Sequence, residues 1–296
     1  MHQFKQQISL SQFPFSASTF SLPEKQLLTC DEYFVSLFQI DGASLRPNSS
    51  SSSPPFASLI NQLPMPLNCN SCTHLFTSDR FDAFLGTFNS PSGSVIVLYT
   101  MTSMDHSILV SLPSNILTAE FNANTQELVI GTSDNRVHVY NLRSTPAAAA
   151  DDGAGDANAN PIGTPPGHAS TFKLPLRRQI YLKKSFFPHE TSFTKQNAQI
   201  TSVTTNKAGN TCLVTTNRSL FVIHLPSETV LYTVPRLPEV SNIYYSTFVP
   251  NTSIFLTLST TDDKKKYSIN LFSFGNITKK RNTAHSLQVS MTQNQV

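Results

Sequence analysis

The sequence predicts an all-β protein built from one repeated antiparallel unit. Three observations carry this. Val, Ile, Phe, Tyr and Thr come in short alternating runs, while helical spacing of apolar residues is scarce. Asn, Asp, Gly, Ser or Pro close the runs. A unit of three strands and two polar turns recurs along the chain, each copy marked by a Thr after its middle apolar pair: Thr29, Thr87, Thr132, Thr215 and Thr257.

The clearest copy is Ile116 to Arg143. Ile-Leu-Thr-Ala-Glu-Phe leads through Asn-Ala-Asn-Thr-Gln into Glu-Leu-Val-Ile-Gly-Thr-Ser, and Asp134-Asn135 turns the chain into Arg-Val-His-Val-Tyr-Asn-Leu-Arg. A second copy covers Ile200 to Leu225, turning at Asn206 to Asn210 and at Asn217-Arg218. A third covers Asn242 to Phe274, turning at Pro250 to Ser253 and at an Asp262 to Lys266 tip. Weaker copies occupy Ser16 to Ile40 and Leu75 to Tyr99. Thr87 to Thr132 spans 45 positions and Thr215 to Thr257 spans 42, the period of a β-propeller blade, ~40–45 residues. A blade cannot bury both faces alone, so its copies must stack in series.

Composition bounds the rest. The 296 residues suit one large domain or two small ones, and 39% hydrophobic content with 21 Phe and 8 Tyr supplies a substantial core, which excludes whole-chain disorder. A net charge of +3 is too small to imply a nucleic-acid partner. Charged residues make up only 13%, against ~25% in an average domain; Ser, Thr and Asn take their place. No apolar run approaches the ~18 residues that cross a bilayer. Nor does the N-terminus lead into the apolar stretch of a secretory leader. Four Cys make no disulfide framework. A reducing compartment, cytoplasmic or nuclear, is the expectation.

Residues 1–277 are expected to form the repeat domain, with flexible insertions at about 44–66 and 144–170. The first contains the Ser run ending in Pro54-Pro55, and the second holds almost no large apolar side chain to offset the entropy of ordering it. A hinge between two antiparallel β-sandwiches at 144–170 is the competing architecture. Residues 278–296, opening on Lys279, Lys280 and Arg281, read as a polar, basic tail. The 171–199 stretch supplies either an outer strand or a poor sixth unit.

The units resemble degenerate WD40 repeats. Leu128-Val-Ile-Gly-Thr-Ser-Asp-Asn-Arg-Val-His-Val-Tyr-Asn-Leu is similar to that family's core stretch, and Tyr140-Asn141 stands where the family has Trp-Asp. The chain departs from the pattern in having no Trp, only 10 Gly and no Gly-His pair opening a unit. The resemblance implies a WD40-like β-propeller with about five recognisable blades, incomplete or up to seven. It makes Asp134, Asn135 and Tyr140 repeat-turn structural positions. It further implies a non-catalytic scaffold whose rims and exposed blade edges bind other protein subunits of an intracellular complex, with no cofactor, metal, nucleic acid or small-molecule substrate.

Candidate chemistry is sparse. Cys69-Asn-Ser-Cys72, with His74 behind it, supplies half of a tetrahedral zinc set. Cys30 and Cys212 lie elsewhere. His106, His138 and His224 read as strand and turn residues. No nucleophile elbow, phosphate-binding loop or His-Glu-x-x-His is present. The acids Asp31, Asp79, Asp82, Asp134, Glu239, Asp262 and Asp263 sit mostly in turns, where Asp is favoured for backbone hydrogen bonding; a paired-carboxylate enzyme is the third function class. The second class rests on Leu176-Arg177-Arg178-Gln179. It resembles the Phe-Arg-Arg-Gly motif of phosphoinositide-binding propellers, with Leu for Phe and Gln for Gly. Lys183 and Lys184 add charge to this candidate lipid or anion contact.

Overall fold

The computed structural model describes residues 16–21, 24–40, 57–101, 104–145, 171–182, 199–217, 219–234, 240–249, 252, 254–261, 266–273 and 286–292. They form five four-stranded antiparallel sheets and one two-stranded ribbon. Each sheet runs through its strands in chain order. The first blade is β1 Ala17–Ser21, β2 Gln26–Cys30, β3 Phe34–Ile40 and β4 Ala57–Pro64; the second is β5 Ser71–Ser78, β6 Ala83–Ser90, β7 Gly93–Thr100 and β8 His106–Leu112. The third is β9 Ile116–Asn122, β10 Glu127–Thr132, β11 Arg136–Asn141 and β14 Leu176–Tyr181, interrupted by the ribbon β12 Arg143–Thr145 and β13 Thr171–Lys173. The fourth is β15 Ile200–Thr205, β16 Thr211–Thr216, β17 Leu220–His224 and β18 Thr229–Val234, and the fifth is β19 Val240–Phe248, β20 Ile254–Thr261, β21 Lys266–Ser273 and β22 Ser286–Thr292.

First strands meet first strands, β1 with β5, β5 with β9, β9 with β15 and β15 with β19, so they form the inner side of the array. Middle strands are sandwiched by neighbouring blades. β10 and β16 are buried along their whole length, which explains their near-continuous apolar runs. The pleat sends successive residues to opposite blades. Leu128 and Ile130 join Leu85, Ile96 and Leu98 of the second blade, whereas Val129 joins Ile200, Val203 and Val214 of the fourth. Four apolar cores result, one between each pair of successive blades. Among the described residues no such core joins the fifth blade to the first.

All five marker threonines lie on the second strand of their blade and are at most 3% exposed. Register shifts recur at matching places in the third strand, at Leu37/Phe38, Ile96/Val97, Val139/Tyr140 and Val222/Ile223. Such bulges increase local twist, which a blade needs to turn from axis to rim.

Two expectations are corrected, and the competing hinge is set aside. The 44–66 stretch is not an insertion throughout, because Ala57–Pro64 pairs with β3 as the outer strand of the first blade. The 278–296 stretch is not only a tail, because Ser286–Thr292 pairs with β21. An outer strand has one neighbouring strand instead of two, so little in its sequence must be apolar, and both stretches therefore resemble loops. The 144–170 stretch is no hinge: the residues flanking it, Arg143–Thr145 and Thr171–Lys173, pair with each other, and β11 pairs with β14 beyond them. The insertion point is the tip of a ribbon within one blade. The 171–199 stretch accordingly supplies the third blade's outer strand.

Candidate interaction surface

The contacts between blades explain the low charge content. On the rim formed by the first-to-second-strand turns, the last residue of a first strand donates to the next blade. Ser21 Oγ donates to Asp79 Oδ1 (3.2 Å), Ser78 Oγ to Gln126 Oε1 (2.7 Å) and Asn122 Nδ2 to the Asn206 carbonyl (2.8 Å). On the opposite rim, Asn89 Nδ2 donates to the Ile116 carbonyl while its Oδ1 accepts from the Ile116 amide, both at 2.9 Å. Thr215 and Ser246 join hydroxyls between the fourth and fifth blades, and Ser202 Oγ accepts from the Ser246 amide at 3.1 Å. Neutral hydrogen bonds bury at lower desolvation cost than ions. Among the described residues there is one ion pair, Arg136 Nε to Asp134 Oδ2 at 3.0 Å.

That pair belongs to the repeat turn. Thr132 Oγ1 lies 2.5 Å from Asp134 Oδ1 and 3.1 Å from the Arg136 carbonyl. Asn135 is left-handed at φ 61° and only 3% exposed. Its amide donates to the Thr132 carbonyl, and its carbonyl accepts from the Leu182 amide at 3.0 Å, tying the turn to the end of the outer strand. Tyr140 is buried in the core between the second and third blades, stacked on His138.

Glu120, which carries no motif in the sequence, is a half-buried acid. It projects from β9 and accepts from the Thr205 amide at the end of β15. Burial pushes its carboxyl up to about 7, opposed by that hydrogen bond. Burial, helped by the Glu120 charge, raises the Cys212 thiol. An isolated Glu in an alternating strand gives no sequence signal of this partner.

The remaining candidates are dispersed. Asp31 caps its own turn, accepting from the amides of Tyr33 and Phe34 at 2.9 and 2.8 Å. His224 bonds Ser227, and His106 packs near Tyr99. Cys72 meets Cys30 in the core between the first and second blades, where Cys30 Sγ donates to the Asp31 carbonyl at 3.3 Å and Cys72 Sγ to the His74 carbonyl at 3.7 Å, and Cys69 packs against the same core. No three His, Cys, Asp or Glu among the described residues are arranged to hold a metal. Arg177 is exposed and Arg178 half-buried on β14, flanked by exposed Leu176 and Tyr181. Lys183, Lys184, Glu239, Asp262 and Asp263 lie outside the described residues.

Large exposed apolar side chains concentrate at the two ends of the array. Phe20, Tyr33, Phe34, Leu59 and Ile60 belong to the first blade, Leu67 to its exit, and Tyr244 and Tyr245 to β19 of the fifth. Leu67 is 93% exposed.

An open cleft of about 340 Å³ lies between the second and third blades. Its walls include Arg80 and Phe81 from the β5–β6 turn, Gln126 from the β9–β10 turn, and Asn141, Leu142 and Arg143 where β11 leads into the ribbon.

No protein-family profile matches the chain, and no curated protein matches it. Among solved structures, the chain is similar to the β-propeller domain of Cps50 (Swd1) from Myceliophteria thermophila. The TM-score is 0.56 at 11% identity, over 95% of this chain and 73% of that one. At this identity the likeness establishes the fold, an all-β propeller of stacked four-stranded sheets.

Proposed function

We propose that this propeller is a non-catalytic scaffold subunit of an intracellular protein complex, cytoplasmic or nuclear, binding its partners through rims and blade edges. One observation carries the reading: eight large apolar side chains are exposed on the first blade, its exit and the fifth blade, the two blades that no described apolar core joins. Exposed apolar side chains clustered on a blade at an end of the array mark a protein contact, whereas scattered single residues do not. Sheet edges favour the same use, because an unpaired strand is a template for a partner's backbone. The test is affinity purification of the tagged chain from its native cell, with mass spectrometry of stoichiometric companions. A reproducible set of subunits supports the scaffold; a chain that purifies alone rejects it.

A second reading is supported by β14, where Arg177 and Arg178 stand beside exposed Leu176 and Tyr181. Basic and apolar groups together suit a phosphoinositide-bearing membrane surface. Liposome flotation that is unchanged in the Arg177→Ala/Arg178→Ala protein disposes of it.

A further inference from the structure

The geometry points to the cleft between the second and third blades as a docking site for an anionic side chain, carboxylate or phosphate, in an extended acidic segment of a partner protein. The inference rests on the scaffold reading and adds the chemistry of one contact. Both arginines of the cleft are oriented without being neutralised. Arg143 Nε donates to Asn141 Oδ1 at 2.9 Å, which leaves its two terminal nitrogens for another acceptor. The guanidinium of Arg80 lies over the Phe81 ring, 5.4 Å from its centroid, a contact that does not neutralise its charge. No carboxylate among the described residues pairs with either arginine. Asp79, next in the chain to Arg80, accepts from Ser21 of the first blade.

The rest of the cleft is fixed scaffolding. Asn141 Nδ2 bonds the Thr125 carbonyl at 3.1 Å, Gln126 Oε1 accepts from Ser78, and Leu142 is buried. Phe81 is itself held edge-on against Phe172 of the ribbon, ring centroids 5.9 Å apart. The amides are therefore committed internally, and the uncommitted groups are the Thr125 hydroxyl, which can itself donate to an anion, and the guanidinium N–H donors. A planar fork of such donors matches the paired oxygens of a carboxylate or phosphate. Elsewhere in the described chain an arginine beside an acid is paired with it, as Arg136 is with Asp134.

The test uses the full chain and two fluorescent peptides of equal length, one of Glu residues and one of Ser and Gly carrying a single phosphoserine. Binding is followed by anisotropy at low and at physiological salt. Arg80→Gln/Arg143→Gln is expected to weaken at least one probe by about tenfold or more, Arg80→Lys/Arg143→Lys to recover only part of that loss, and Arg177→Gln/Arg178→Gln to change nothing. Loss of the phosphopeptide alone assigns phosphate; loss of the Glu peptide alone assigns carboxylate. The proposal is overturned if neither probe binds the unaltered protein, if the Arg80/Arg143 variant binds both unchanged, or if only the Arg177/Arg178 variant is weakened. Titration of the unaltered protein, read at the Nε–H signals of Arg80 and Arg143, locates the contact without substitution: shifts at both support it, and flat signals overturn it. The two readings fail separately: a chain that purifies alone leaves these titrations intact, and flat titrations leave co-purifying subunits in place.

Discussion

At the scale of single residues, Glu120 sets a pH dependence. Its carboxyl is raised from an ordinary 4.5 to about 7 by burial, so between those values the folded chain holds a proton that the unfolded chain has released. Stability contributed by this site therefore falls as pH rises from about 4.5 to about 7, and the full penalty persists above that. Glu120→Gln keeps an acceptor for the Thr205 amide and removes the charge. It is expected to stabilise the protein at pH 8 by on the order of 1–3 kcal/mol and to leave it unchanged at pH 4. Thermal melts at the two pH values check this, and an equal effect at both refutes it. Asn135 is a second such position, since its φ of 61° suits Asn or Gly. Asn135→Ala is expected to cost about 1–3 kcal/mol and Asn135→Gly much less, as read in chemical denaturation.

At the scale of elements, blades are held by close backbone approach and by neutral side-chain clamps. A Cβ added at Gly131 would stand 2.7 Å from Ile200 Cγ2 and 3.0 Å from Thr118 Cγ2. Gly131 thus lets β10 sit against the inner strand of the fourth blade. Gly131→Ala is expected to cost about 1–3 kcal/mol through overpacking, and to be partly relieved by Ile200→Ala, which removes the opposing Cγ2, in a double-mutant cycle. Additive losses would show that the two positions do not meet. Asn89→Ala strands both the amide and the carbonyl of Ile116, with an expected cost of about 1–3 kcal/mol. Asn89→Asp keeps the acceptor and loses the donor, so its stability should fall between those of the unaltered chain and Asn89→Ala.

At the scale of the molecule, the 144–170 stretch leaves the third blade from a ribbon whose ends pair at Thr145 and Thr171. Replacing 146–170 by a short Asn-Gly turn is therefore expected to leave the melting temperature within a few degrees. A collapse of folding would show that the stretch contributes to the core. The exposed residues at the array's ends make the opposite prediction. Tyr244→Ser/Tyr245→Ser, at two exposed positions, should leave the isolated chain as stable as before and remove co-purifying subunits. Unchanged co-purification would place the partner elsewhere.

The sequence by itself determined the repeated unit. Alternation, turn residues and the marker threonines locate three strands of each blade, because inner and middle strands are packed against neighbouring blades and must carry an apolar pattern. Even Thr29, from a weak copy, is buried on a second strand. Outer strands are less legible: Ala57–Pro64 and Ser286–Thr292 resemble insertion and tail, since a strand with one neighbour needs little burial. Only the tertiary structure decided which distant residues meet. Arg80 and Arg143 are 63 positions apart in the sequence yet share one cleft, and Cys30 reaches Cys72 of the C-x-x-C pair across two blades. Alternation within a strand reports which face a side chain takes. What it faces is set by how the blades stack, through hydrogen bonds and close approaches between residues that no local pattern links.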